Sequence, residues 1–345
     1  MKIWLERKDT ITQAFVIVSV YAILSFINLR SKLASTPAWF NGMLSENHEL
    51  LLQSVYTNNE QSRILQYLIP EFLHRLFNIA IEHAYIFQRW FFIFLAFCFF
   101  HIYLKKWFHE TTAFAGVTLL AALMPLVYFN HLQESAPLML LTFLLGLWAI
   151  RERKHRLFLF ILIIGILNNE TSLILILAYF AYQLPQRLKD LTYLSLTKIL
   201  GKTFLVSLPA TIVLVSIRWL TRENPHLGTP WKLPYNVVGM LSNLTNLNIF
   251  ELHRAVYLYP IFLFGLLWIY SFLHFKSKPL FLRRATFLIP FFIAGNMLTG
   301  NIYEARQMLP LGFIIIPLAL WNLFPRDTHA PTHSHTLTKA TKEVD

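Results

Sequence analysis

Four short polar segments carry the residue types that do chemistry in this chain. In "FILIIGILNNETSLILILAYF", residues 160–180, Asn168, Asn169, Glu170 and Thr171 interrupt a run that is otherwise almost all hydrocarbon. "YEARQMLP" sets Glu304 beside Arg306, "NHLQES" sets His131 one helical turn before Glu134, and the loop opening with "TRENPHLGTPWKLPYN" leads on to Arg254. A carboxylate in such a place can take a proton or hold a divalent metal. The planar fork of an arginine matches a phosphate. His131 and Glu134 suit an acid/base pair or two metal ligands, although no HExxH spacing points to zinc.

Each segment also has a plainer reading. "NNET" caps a helical hairpin if Asn168 or Asn169 ends one helix and Asn169 or Thr171 starts the next, with Glu170 in its first turn. "YEAR" anchors the entry to a last helix by an interfacial salt bridge, with Pro310 in the first turn. "NHLQE" reads equally as a hydrated loop. The functional alternative for "NNET" is that two truncated helices carry an acid and amides below the membrane surface into a cavity. Ionisable groups at that depth are costly to keep without a purpose. Asn169-Glu170-Thr171 and Asn243-Leu244-Thr245 also match the glycosylation sequon.

The elements that must position these segments are membrane helices. The chain has 345 residues, 56% hydrophobic and only 14% charged, with a mean hydropathy of +0.49. About 20 apolar residues cross a hydrocarbon core as helix, and backbone satisfaction in lipid excludes irregular or open-sheet spans. Apolar runs near 11–29, 87–104, 112–129, 136–150, 157–168, 171–184, 203–219, 255–274, 285–299 and 309–324 predict an all-α bundle of about ten membrane helices. Residues 1–325 form one domain, and the polar tail 326–345, with His329, His333 and His335, reads as disordered. The single cysteine, Cys98, lies inside an apolar run and reads as packing.

A formal charge of +12 does not imply nucleic acid, because no basic soluble domain presents it. Lys and Arg gather instead in every second loop: Lys105 and Lys106; residues 151–156; Arg187, Lys189, Lys198 and Lys202; Lys276, Lys278, Arg283 and Arg284. Cytoplasmic loops carry that bias, so both termini are expected in the cytoplasm. The alternation holds only if the short runs around "NNET" form an out-and-back hairpin, which sets all four polar segments on the outer side. Longer outer loops are expected at 30–86 and 220–254. In the first, Leu65, Leu68, Ile69, Phe72, Leu76 and Ile79 fall opposite Glu71, His74, Arg75, Asn78 and Glu82, which predicts a helix lying in the interface. Trp39 and Trp231 in these loops suit a sugar face or a membrane anchor.

A first helix, a long outer loop with an interfacial helix, spans of uneven length and polar motifs gathered outside together resemble the GT-C superfamily of membrane glycosyltransferases. "GILNNETSLILIL" and "YEARQMLPLGFIIIPLAL" are also similar to recurring segments of bacterial membrane proteins, through Asn168, Glu170 and Thr171 and through Glu304, Arg306 and Pro310. The GT-C resemblance implies transfer of a sugar from a polyprenyl-phosphate carrier to an envelope acceptor at the outer face of a bacterial cytoplasmic membrane. It implies a carboxylate as base or as holder of a divalent metal, and cations on the leaving phosphate. Such enzymes usually carry an aspartate in the first outer loop, whereas residues 30–86 contain none, leaving a glutamate such as Glu46 or Glu60 to stand in. Carried onto this sequence, the catalytic set is Glu170, Glu304, Glu134 and Glu60, with Arg306, Asn168, Asn169, His131 and Arg254 binding substrate and no metal site assigned. The competing classes are a transporter or flippase, which places coupling charges nearer the midplane, and a non-catalytic subunit of envelope polymer assembly.

Reporter fusions at residues 133, 170 and 303 are expected to read as external. Cytoplasmic signals from all three would overturn the topology.

Overall fold

A computed structural model of the protein describes residues 2–55, 59–128, 134–221, 231–248 and 254–325. The described residues are helical throughout, with no strand among them. In chain order the helices are α1 (Lys2–Ser35), α2 (Leu44–Leu52), α3 (Ile64–Phe77), α4 (Ile81–Leu104), α5 (Glu110–Leu123), α6 (Ala136–Arg151), α7 (His155–Asn168) and α8 (Leu175–Gln183). They continue as α9 (Tyr193–Leu220), α10 (Leu233–Thr245), α11 (Tyr259–Phe262), α12 (Leu267–Phe272), α13 (Leu280–Ala285), α14 (Leu288–Thr299) and α15 (Gly312–Leu323). Among the described residues six segments are long and apolar enough to cross a membrane: Thr12–Ser35, Ile81–Leu104, Glu110–Val127, Tyr193–Leu220, Leu280–Thr299 and Ala305–Leu323. This is an integral membrane protein. Two shorter apolar helices, α6 and α7, lie among the six.

Burial separates centre from rim. In Ala305–Leu323 78% of the apolar window is covered by protein, whereas α1 shows 22% and α9 17%. The last helix is therefore the axis of the bundle, packed against α12 and α5. The outer faces of α1 and α9, with Phe15, Phe26, Phe204, Leu205 and Val215 exposed, meet lipid, where apolar surface costs nothing.

Several boundaries differ from the sequence reading for identifiable reasons. Thr192 and Ser195 form a reciprocal capping box, which starts α9 early and moves Lys198 and Lys202 from a loop into its first turns. Asn78 turns left-handed at φ 50° and ends α3 at Phe77, so Ile79 and Glu82 fall outside the expected amphipathic helix. The run 255–274 breaks into α11 and α12, with Gly265 at φ +45° between them. The expected outer loop 220–254 contains α10, whose Lys232 N–H donates to Leu298 O at 2.9 Å.

The basic loops meet at one end of the bundle. Lys106 pairs with Glu152 at 3.2 Å, the Arg151 guanidinium lies 4.8 Å over the Trp107 ring, Trp107 stacks on Phe281, and Arg284 donates to Tyr182 O at 2.6 Å. Lys278, nearly fully buried, donates to three carbonyls, Tyr270 O, Ser271 O and Leu318 O, at 2.6–2.8 Å. It thereby satisfies the orphan C-terminal carbonyls of α12 and ties them to α15.

At the opposite end α7 folds back into α8 through a tight turn at Glu170–Ile174. Gly165 makes the hairpin possible. A Cβ there would stand 2.6 Å from Ser172 Oγ and 2.8 Å from Ser172 Cβ. Gly165→Val is expected to cost about 1–3 kcal/mol through overpacking. Gly201→Ala, where a Cβ meets nothing within 4 Å, should be neutral or stabilise α9 by up to about 1 kcal/mol. Thermal unfolding in detergent checks both, and equal effects would contradict the packing described.

Candidate functional site

The hairpin tip is fastened from behind. Asn169 is extended and accepts the Thr171 N–H at 3.0 Å through its side-chain oxygen, an N-cap of the turn. Its amide nitrogen donates to Ser135 Oγ at 3.2 Å, and that of the fully buried Asn168 donates to Ser135 O at 2.8 Å. Both amides thus bind the tip to the start of α6. Capping and positioning turn out to be two descriptions of the same contacts.

Glu170, so presented, meets Arg63, the residue before α3. The Arg63 guanidinium donates from Nε to Oε2 at 3.1 Å and from Nη2 to Oε1 at 2.9 Å, a bidentate pair across 107 residues of chain. A carboxylate held in such a fork is ionised and a weak base. Glu60 stands on the first-loop side of the same charge group, buried, accepting from Gln66 Nε2 at 3.2 Å. Burial pushes its carboxyl above the ordinary range, although Arg63 and Gln66 oppose the shift. Its surroundings favour the protonated form, whereas the guanidinium fork on Glu170 favours the ionised one.

Glu134 is also buried, but its work is different. Oε2 receives Arg89 through Nε at 2.8 Å and Nη2 at 2.6 Å, and Oε1 receives the Trp39 indole N–H at 3.2 Å. The pair joins α4, the first outer loop and the entry to α6. Lys32, fully buried near the end of α1, lies within electrostatic reach of Glu134, Arg89 and Arg306. Trp39 is buried in this contact and offers no face to a sugar, whereas Trp231 is exposed.

On the far wall Arg306 donates to Glu304 Oε2 at 2.6 Å, and Asn301 and Gln307 donate to the same carboxylate at 3.2 and 3.0 Å. Arg306 is 6% exposed, and its Nε has no acceptor among the described residues. A buried guanidinium N–H left unmatched costs free energy that a bound anion would recover.

These groups enclose a cavity of about 490 Å³. Among the described residues Arg63, Arg218, Lys232 and Arg306 supply four cations to its wall, against the two carboxylates of Glu170 and Glu304. Asn169 also lines it, while Asn168, Glu134 and Glu60 support it from behind. Arg254 is exposed and lies outside the lining, and His131 falls outside the described residues. Among the described residues no three His, Cys, Asp or Glu side chains gather as a metal site.

The site contains residues that the motifs do not flag. Arg63 sits at the polar start of α3 and Arg218 at the end of α9, outside the four polar segments, whereas Lys232 lies within "TRENPHLGTPWKLPYN" without a diagnostic spacing. Asn236, fully buried, donates to Met297 O at 2.9 Å and Gly300 O at 2.8 Å and accepts the Ile302 N–H at 3.1 Å. It pins α10 against the turn that presents Glu304. Arg89 is legible in the sequence, since a charge inside an apolar run defaults to a functional or pairing role, whereas Lys32 lies just beyond the first run.

No family model, no curated protein and no solved structure matches the chain.

Proposed function

We propose that the protein is a GT-C-like membrane glycosyltransferase whose cationic cavity holds the phosphate of a polyprenyl-phosphate-linked sugar. The observation that carries this reading is the convergence of four cations on one cavity with a buried Arg306 N–H lacking an acceptor. Arg306, Arg218 and Lys232 would hold the phosphate oxygens as the bond between the sugar's anomeric carbon and phosphate oxygen breaks. The acceptor oxygen then bonds to that carbon, and its proton passes to a carboxylate, with Glu60 the preferred destination.

The same reading makes the basic end of the bundle cytoplasmic and the cavity external, in a bacterial cytoplasmic membrane with an envelope glycan, lipid or protein as acceptor. The hairpin α7–α8 and the joined pairs α11–α12 and α13–α14 then complete ten crossings, with both termini inside. Helix α3 lies in the interface, its Leu68, Phe72 and Leu76 exposed to lipid.

One observation favours a second reading, a non-catalytic lipid-phosphate-binding subunit. Glu170 and Glu304 are both occupied by guanidinium groups, and Glu60 does not line the cavity.

Farnesyl phosphate is expected to bind the purified protein, and Arg306→Met and Arg218→Gln should each weaken it about tenfold, roughly 1.4 kcal/mol. Glu60→Gln should abolish sugar transfer while leaving this affinity intact; transfer that persists excludes Glu60 as base. Absence of farnesyl phosphate binding, or equal affinity in all variants, would overturn the phosphate site.

A further inference from the structure

A second cavity, of about 290 Å³, lies on the other side of the segment that carries Glu304 and Arg306. Tyr303 and Ala305 line it, whereas Glu304 and Arg306 line the cationic cavity, so alternate residues of one short stretch serve both. Its wall is otherwise Tyr235, Tyr257 and Tyr259, with Leu126, Val127 and Val256, and no charged side chain takes part among the described residues.

The tyrosines are set in place by the backbone. Gly239 of α10 lets the Tyr257 ring lie flush against the helix, where a Cβ would come within 2.4 Å of a ring carbon. The Tyr257 N–H donates to Asn243 Oδ1 at 2.9 Å. Tyr257 packs edge-on to Tyr303 at 5.5 Å and to Tyr235 at 5.8 Å, and Asn236 fixes the Ile302 amide directly before Tyr303. The result is a rigid aromatic wall with phenol groups, formed before any ligand arrives.

We infer that this tyrosine-walled cavity binds an uncharged pyranose unit beside the phosphate site. The inference rests on the proposed lipid-phosphate-sugar reading and adds to it the place of the sugar. Aromatic faces suit the axial C–H surface of a pyranose, and phenols can both donate to and accept from its hydroxyls. Absence of any charge among the described lining residues argues against a second phosphate or an amine. The volume falls at the small end of ligand pockets, which run from about 300 to 1,000 Å³, and suits a ring better than a polyprenyl chain.

The test uses the full-length protein with two probe sets: methyl glycosides of glucose, mannose, galactose and N-acetylglucosamine, and farnesyl phosphate with or without a monosaccharide attached. At least one methyl glycoside is expected to bind. Tyr257→Leu, Tyr303→Leu and the non-contacting Gly239→Ala should each weaken it about tenfold, with farnesyl phosphate affinity unchanged. If the sugar of the donor occupies the cavity, glycosylated farnesyl phosphate will outbind farnesyl phosphate, lose that gain in the tyrosine variants and compete with the methyl glycoside. If an acceptor sugar does, the two probes will bind together. Glycoside binding without farnesyl phosphate binding would support this cavity and overturn the phosphate site instead. No glycoside binding by the unaltered protein, affinity unchanged in all three variants, or displacement of the glycoside by farnesol would each overturn the inference.

Discussion

The end of the bundle that holds the cationic cavity depends on the ion pair between Arg63 and Glu170. It joins the segment between α1 and α4 to the tip of the α7–α8 hairpin and reinforces the packing of α3 against α7. Neither partner is affordable alone at this depth, because removing one leaves an uncompensated charge largely out of water. The pairing therefore selects one register between α3 and the hairpin. The amides of Asn168 and Asn169 set the tip from one side, and the guanidinium of Arg63 completes it from the other.

A second pair repeats the device deeper in the bundle. Arg89 and Glu134 are each 2% exposed, with the Trp39 indole taking the remaining carboxylate oxygen and Lys32 close by. Buried ion pairs contribute little net stability compared with apolar packing of the same shape, but they punish every alternative arrangement. That suits a long outer loop whose own core is small. The cluster of Trp39, Leu44 and Tyr85 is minor beside the main apolar core, and Leu65 and Ile69 of α3 pack on Ala96, Leu138 and Leu141, so charges and packing together fix where the loop sits. The cost is a surplus of positive charge facing the cavity, and that surplus is the functional signal.

The sequence makes the hairpin legible because four polar residues stand alone in hydrocarbon and because the basic loops alternate only if it is there. Glu304 and Arg306 are legible for a similar reason, as an acid and a base beside a late apolar run. Glu134 is visible as a polar residue, but not as a partner of Arg89, since the pairing spans 45 residues and two helices. Arg63 carries no local mark at all, and Asn236 is marked only as the last residue of a polar loop segment. Each looks like an ordinary polar residue in an outer loop, and its importance lies in contacts with α7–α8 and with the turn after α14. Trp39 shows the reverse: a tryptophan near a membrane surface suits a sugar or an anchor, and its burial against Glu134 follows only from tertiary structure.

Distant segments meet through Arg63 and Glu170 to build one cationic cavity, and a double-mutant cycle on unfolding in detergent tests that coupling. Arg63→Gln and Glu170→Gln are each expected to cost about 3–5 kcal/mol, and the double variant should cost less than the two together by about 1–3 kcal/mol. Additive losses, with no coupling between the two positions, would contradict the account.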